Sequence, residues 1–163
     1  MIEMKRSAFA EWFGYLLIFT SIISLDQLVK ALVYRDLRPI STFELLPGVF
    51  RLKYCENTGA AFSILAGQTW FFIVLTVLLC SFIIFLLIRG VIRSAPARIA
   101  LVCVVSGGVG NLIDRVFRGF VVDMFDFYLI DFAVFNVADI FVCCGCILFV
   151  ILFLFSKGEI LDS

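Results

Sequence analysis

The run NTGAAFSILAGQTWFFIVLTVLLCSFIIFLLI, residues 57–88, contains no Asp, Glu, Lys or Arg. It opens on a polar stretch, Asn57-Thr58-Gly59, and from Gln68 onward is almost entirely aliphatic and aromatic. A helix needs about 20 apolar residues to cross a bilayer, so residues 68–88 read as a membrane span. The other long uncharged runs are 12–25, 99–113 and 140–156. Each is shorter than a span and has to absorb a neighbouring charge. The first takes in Asp26 and Lys30, the third Asp114 and Arg115, the last Asp139. The expected spans are 12–33, 68–88, 98–116 and 135–155, within one integral-membrane domain covering residues 1–163.

Composition agrees. Of 163 residues, 63% are hydrophobic and 16% charged, 20 are Phe, and the mean hydropathy is +1.14. Soluble domains average about 45–50% apolar and about 25% charged residues. Thirteen basic residues balance thirteen acidic ones, which argues against a nucleic-acid partner. There is no His, so Ser-His and Cys-His catalysis and His-ligated metals are excluded. The six cysteines lack the paired spacing of a metal site. Five of them, Cys80, Cys103, Cys143, Cys144 and Cys146, lie in apolar runs, where Cys behaves as a small hydrophobe. No metal or cofactor is expected.

The fold class is therefore all-α: four transmembrane helices, with a small β segment at the interface. Residues 34–67 supply that segment. Pro39 and Pro47-Gly48 mark turns, and Phe50, Leu52 and Tyr54 alternate with Arg51, Lys53 and Cys55, the period of a half-buried strand. Residues 117–134 form an aromatic loop with Phe117, Phe120, Phe125 and Phe127 among Asp123, Asp126 and Asp131, which suits a headgroup boundary. Ser106-Gly107-Gly108-Val109-Gly110 reads as close helix packing through Ser106 and Gly110. Lys5 and Arg6 before an apolar run resemble a signal peptide. No small-x-small cleavage site follows, and the segment is read as a retained span.

The charges are placed asymmetrically. Spans one and three carry theirs at the C-terminal end, and span four carries Asp139 at its N-terminal end. With antiparallel neighbours these ends share one side, where Asn57 also lies. Ionisable groups in a bilayer are costly and functional by default, so their convergence marks a site. The positive-inside rule is nearly balanced. Lys5, Arg6, Arg89, Arg93, Arg98 and Lys157 stand on the terminal side, and Arg35, Arg38, Arg51, Lys53, Arg115 and Arg118 on the other. The short loop 89–98 holds three of the basic residues and no acid, which places both termini inside and the site toward the outer face.

Spacing then groups the chemistry. Asp26 and Lys30 are at i, i+4, the spacing of a helix ion pair. Asn111, Asp114 and Arg115 share one helix face, as do Asn136 and Asp139. Asp114 is expected to orient Arg115 or the local helix end. Two facing aspartates in a poorly hydrated site can share one proton. The ionised one activates water, while the protonated one polarises a carbonyl and later protonates the leaving amine. Spacing allows Asp123, Asp126 or Asp131 to be the partner of Asp139. It equally allows a small proton-coupled transporter that uses the same carboxylates. Lys30 is accounted for by Asp26, so a Lys-activated Ser nucleophile is disfavoured.

The motifs Asn57-Thr58-Gly59-Ala60-Ala61-Phe62-Ser63, Gly110-Asn111-Leu112-Ile113-Asp114-Arg115, Val121-Val122-Asp123 and Phe135-Asn136-Val137-Ala138-Asp139 occur in one order. With Asp26 and Lys30 on the first span, that order resembles the lipoprotein signal peptidase (signal peptidase II) family over nearly the whole chain. The resemblance implies a bacterial inner-membrane aspartyl peptidase that cuts prolipoproteins just before a diacylglyceryl-modified Cys. It puts the catalytic pair on Asp123 and Asp139, and the substrate contacts on Asn57, Asn111, Arg115 and Asn136. Asp26, Lys30 and Asp114 take supporting roles. It also implies cytoplasmic termini, a site near the outer surface, membrane lipid as surroundings, and inhibition by globomycin-type compounds. Two positions depart from the family pattern: Ala133 stands where Pro is common, and Ile140 where Ser is common. Both bear on the shape of the loop and of span four.

Overall fold

The computed structural model describes residues 2–155; of the basic residues weighed for orientation, Lys157 lies outside them. Four helices are long and apolar enough to cross a membrane. Helix α1 covers Ile2–Leu32 and runs on as a π-helical stretch, Val33–Leu37. Helices α2 (Thr69–Ile88), α3 (Ala95–Arg118) and α4 (Val137–Phe155) follow. Span two falls where its uncharged run placed it. Span one reaches four residues further than residue 33, because Val33 and Leu37 are buried against Val122 and Met124. Apolar burial thus carries the helix past Arg35 and Asp36, which remain exposed.

Three strands, β1 (Thr42–Leu46), β2 (Phe50–Asn57) and β3 (Val121–Asp126), form an antiparallel sheet in the order β1-β2-β3. Within the 34–67 segment the strand around residues 50–55 was legible as β2, and β1 pairs with it across the Pro47-Gly48 turn. The third strand was not: residues 117–134 are not simply an aromatic loop, because Val121–Asp126 pairs with β2. All but one residue of β3 is buried. With both faces covered, it shows no alternation of apolar and polar residues. Cys55 lies opposite Asp123, and Asn57 opposite Val121. Gly119, at φ +81°, ends α3 in the left-handed conformation that turns the chain into β3.

α3 is the central helix, packed by the other three. Its contact with α4 needs missing side chains. A Cβ on Gly107 would press on the Ala138 carbonyl, and one on Gly145 would sit 2.6 Å from the Ala100 carbonyl. On the α1 side, a Cβ on Gly110 would sit 2.7 Å from Asp26 Oδ2. The close approach expected around Ser106 and Gly110 is thus carried by Gly107, Gly110 and Gly145, while the Ser106 hydroxyl donates to the Val102 carbonyl at 2.6 Å. Short interhelical distances bring the polar ends of α1, α3 and α4 together beneath the sheet.

Candidate active site

α4 begins with a reciprocal cap. The Asp139 N–H donates to Asn136 Oδ1 at 3.0 Å, and the Asn136 N–H donates to Asp139 Oδ2 at 3.1 Å. This is a capping box with Asn at the cap and Asp three residues on. The next free amide of the first turn, Ala138 N–H, donates to Asp26 Oδ1 of α1 at 2.9 Å. The helix start is therefore fixed by its own side chains and by a carboxylate from another helix.

The same residues continue into a network. Asn136 Nδ2 donates to Asp123 Oδ1 at 2.6 Å and to Asn111 Oδ1 at 3.1 Å. Asn111 Nδ2 donates to Asp139 Oδ1 at 2.7 Å. Asn57 Nδ2 donates to Asp123 Oδ2 at 2.9 Å, and Asn57 Oδ1 accepts from the Gly59 N–H at 2.9 Å. Each of the two carboxylates receives one donor on each oxygen, and asparagine side chains supply all but the one backbone donor. Asp123 and Asp139 line one cavity of about 320 Å³ together with Asn57, Asn111 and Arg115.

Beneath the pair, Lys30 is fully buried among three acceptors: Asp26 at 2.9 Å, Asp114 at 3.2 Å and Asn111 Oδ1 at 2.8 Å. Asp114 also pairs with Arg118 and accepts the Val122 N–H at 3.1 Å. No hydrogen bond or ion pair joins it to Arg115 among the described residues. Of the two roles expected for it, the helix end is the one its contacts serve, since it ties the last turn of α3 to β3. Arg115 instead donates from Nη2 to the Gly59 carbonyl at 3.0 Å. Its guanidinium lies 5.1 Å from the Phe72 ring centre, and its buried Nε–H has no acceptor among the described residues.

Geometry separates the three loop aspartates. Asp126 is held by Arg51, Nε to Oδ2 at 2.7 Å. Asp131 is exposed, and neither of them lines the cavity that holds Asp139. Asp123 does, and it is buried. Its carboxyl is pushed up to about 7, first by burial and then by the Asp139 charge, against the lowering effect of hydrogen bonds from Asn57 and Asn136. Rings from Phe62, Phe132, Phe135 and Phe127 form a run beside the cavity, with Phe62 and Phe132 edge to face at 6.3 Å. Among the described residues, no group of His, Cys, Asp and Glu is placed to hold a metal ion.

Sequence reasoning missed Gln27. Its Nε2 donates to the Gly110 carbonyl at 3.1 Å and to Asp26 at 3.1 Å, with Asp114 at 3.3 Å. The signal is present, since Gln27 is an uncharged polar residue between Asp26 and Lys30. A search for membrane-embedded groups by charge alone passes over it.

The profile of signal peptidase (SPase) II matches residues 18–155. The lipoprotein signal peptidase of Streptococcus thermophilus (strain CNRZ 1066) is 43% identical over 132 residues, which are 81% of this chain and 86% of that one. That of Clostridioides difficile (strain 630) is 43% identical over 145 residues, 89% of this chain and 97% of the relative. A bacterial membrane enzyme structure obtained by the in meso method at 2.3 Å superposes with a TM-score of 0.82 at 28% identity, covering 92% of this chain and 93% of that one. A second, at 1.9 Å, gives 0.78 at 30% identity, covering 87% and 93%. A chain matched by that profile from its first span to its last, and this similar to named relatives, belongs to the lipoprotein signal peptidase (signal peptidase II) family and is a bacterial membrane peptidase.

Proposed function

We propose that Asp123 and Asp139 are the catalytic pair of an aspartyl endopeptidase that cuts lipid-modified prolipoproteins immediately before the modified Cys. The observation that carries this reading is the donor arrangement. Two carboxylates from β3 and α4 share one cavity and are both held by Asn111 and Asn136, directly or through one intervening amide. Carboxylates so placed do not both ionise readily, so the pair holds one proton.

The reaction balances without any other group. The ionised carboxylate takes a proton from water as the water oxygen bonds to the scissile carbonyl carbon. The protonated carboxyl supports the developing oxyanion. Collapse of the tetrahedral species breaks the C–N bond, and the proton passes to the leaving amine. A helical amide is blocked by its own hydrogen bonds, so the substrate is locally extended at the cut. Asn57, Asn111 and Arg115 line the cavity and take over the released backbone groups of the substrate. Lys30 holds Asn111, Asp26 holds the α4 terminus, and Asp114 holds Lys30 and ties α3 to β3; none of the three lines the cavity. The whole chain works as one domain with both termini in the cytoplasm and the cavity toward the outer face. Globomycin-type inhibitors bind in the same cavity.

The test is to incubate purified protein in detergent with a lipid-modified precursor and read the new N-terminus by mass spectrometry. The expected product begins at the modified Cys, and Asp139→Asn yields none. A product cut elsewhere, or undiminished cutting by Asp139→Asn, overturns the proposal.

A further inference from the structure

The cavity that holds the aspartate pair adjoins a second, polar groove of about 410 Å³, and the two share Asn57, Phe62, Asp123, Phe132, Ala133 and Val134. Their walls differ in kind. The first is walled partly by α3 and α4, through Asn111, Arg115, Val142 and Cys143, all within membrane-spanning helices. The second is walled by β2, β3, Phe62 and residues 128–134, all outside the four spans. Asp123 lies at the junction.

One face of β2 leads away from that junction. Asn57, Cys55, Lys53 and Arg51 all line the groove, as alternate residues of a strand do. The opposite face turns Leu52 and Tyr54 toward Val33 and Leu37. Arg51 is already satisfied, since it pairs with Asp126 at 2.7 Å and stacks on the Tyr128 ring at 4.6 Å. Lys53 is half-buried in the groove wall and has no ion pair among the described residues. Asp131, also in the wall, has none either, but it is exposed. An exposed charge is screened by solvent, whereas a half-buried one keeps more of its field.

We propose that this groove receives the polypeptide on the carboxyl side of the cut, and that Lys53 determines specificity there by favouring an acidic side chain at the second to fourth residue beyond the cut. The proposal rests on the reading that the bond is cut at Asp123 and Asp139. The direction follows from the chemistry of the substrate. A signal peptide is apolar and belongs against the membrane-embedded cavity, so the polar mature chain leaves through the polar groove. The distance follows from strand geometry. Cys55 lies opposite Asp123, and Lys53 is one same-face step beyond it, roughly 7 Å. An extended peptide covers that in about two residues, and the length of the Lys side chain brings the next two within reach.

The experiment compares kcat/KM for lipid-modified precursors that differ only at the second to fourth residue after the modified Cys, carrying Asp, Ser or Lys there. The wild-type protein is expected to cut the Asp form roughly threefold to tenfold better than the Lys form, a partly screened pair. Lys53→Gln should level the Asp and Lys forms, and Lys53→Glu should invert them. Asp131→Asn should change the ratio little, and high salt should flatten it. A wild-type ratio near one, or a ratio unmoved by both Lys53 variants, overturns the proposal. The charge ratio is read independently of which groups cut the bond. Full activity in Asp123→Asn would sink the catalytic pair while leaving this ratio measurable.

Discussion

Asn136 and Asp139 cap each other's amides, and the two side-chain atoms left over, Asn136 Nδ2 and Asp139 Oδ1, both point into the polar network. One motif, Asn-x-x-Asp, therefore starts a helix and aims a carboxylate. The fold and the site cannot vary independently here.

That double use can be separated by substitution. Asn136→Ala loses the cap, at a cost of about 1 kcal/mol, together with the donor to Asp123. Asn136→Ser keeps an acceptor for the Asp139 N–H but has no Nδ2 group. Thermal unfolding in detergent should show Ser restoring most of the stability that Ala loses. Peptidase assays should show both variants equally impaired. Full activity in Asn136→Ser would mean that the Asp123 contact is dispensable.

The buried cation makes a second case. Lys30→Met leaves Asp26 and Asp114 buried without their ammonium partner, and breaking such a pair costs about 3–5 kcal/mol. Asp26→Asn retains an oxygen for the Ala138 N–H and leaves Lys30 with Asp114, so it should be milder. The order of the two unfolding temperatures checks this. A Lys30→Met protein as stable as wild type would contradict the account.

Helix spacing gives a third. Gly107→Ala places a methyl against the Ala138 carbonyl, one residue from Asp139, and should push α3 and α4 apart. Activity and stability should fall together. Gly14→Ala is the control, because its Cβ meets nothing within 4 Å. It should be neutral or slightly stabilising, since Ala is the better helix former. If both variants behave alike, the close α3–α4 contact does not matter to the site.

The pH dependence follows from the raised Asp123 carboxyl. Its folded value, about 7, lies above the roughly 3.9 of an unfolded Asp, so the fold favours the protonated form. That stability is fully present below about pH 4, declines as pH rises, and is lost once pH passes about 7. Unfolding temperatures measured from pH 4.5 to 8 should carry this downward slope, and Asp123→Asn should remove it. Activity should follow a bell whose alkaline limb lies near 7 and belongs to the pair. A slope unchanged in Asp123→Asn would assign it to other groups.

How much of this was legible in the sequence depended on periodicity and charge. Residues 69–88 could be read because nothing interrupts them. Asp26 and Lys30 could be read because opposite charges at i, i+4 inside an apolar run lower each other's cost of burial, and an unpaired charge there would be expensive. β3 could not be read, since Val121, Val122, Asp123 and Met124 are all buried and leave no period of two. The choice among Asp123, Asp126 and Asp131 could not be made from spacing alone. It depends on Arg51 reaching Asp126 across the sheet and on Asn57 and Asn136 converging on Asp123. These contacts bring together residues distant in sequence. The reciprocal cap at Asn136 was visible as a shared face, but its division between helix start and site emerges only with the backbone amides in place.

The most direct measurement of the central claim is the turnover of three loop variants on one lipid-modified precursor, beside Asp139→Asn. Asn keeps the size and polarity of Asp but can neither ionise nor pass on the shared proton. Asp123→Asn and Asp139→Asn should each remove nearly all activity while remaining folded, and the double variant should be scarcely worse than either, because the two act as a unit. Asp126→Asn, whose carboxylate serves Arg51, and Asp131→Asn, whose carboxylate is exposed, should keep most of theirs. Near-normal turnover in Asp123→Asn with a dead Asp126→Asn or Asp131→Asn would contradict the assignment and move the second carboxylate along the loop.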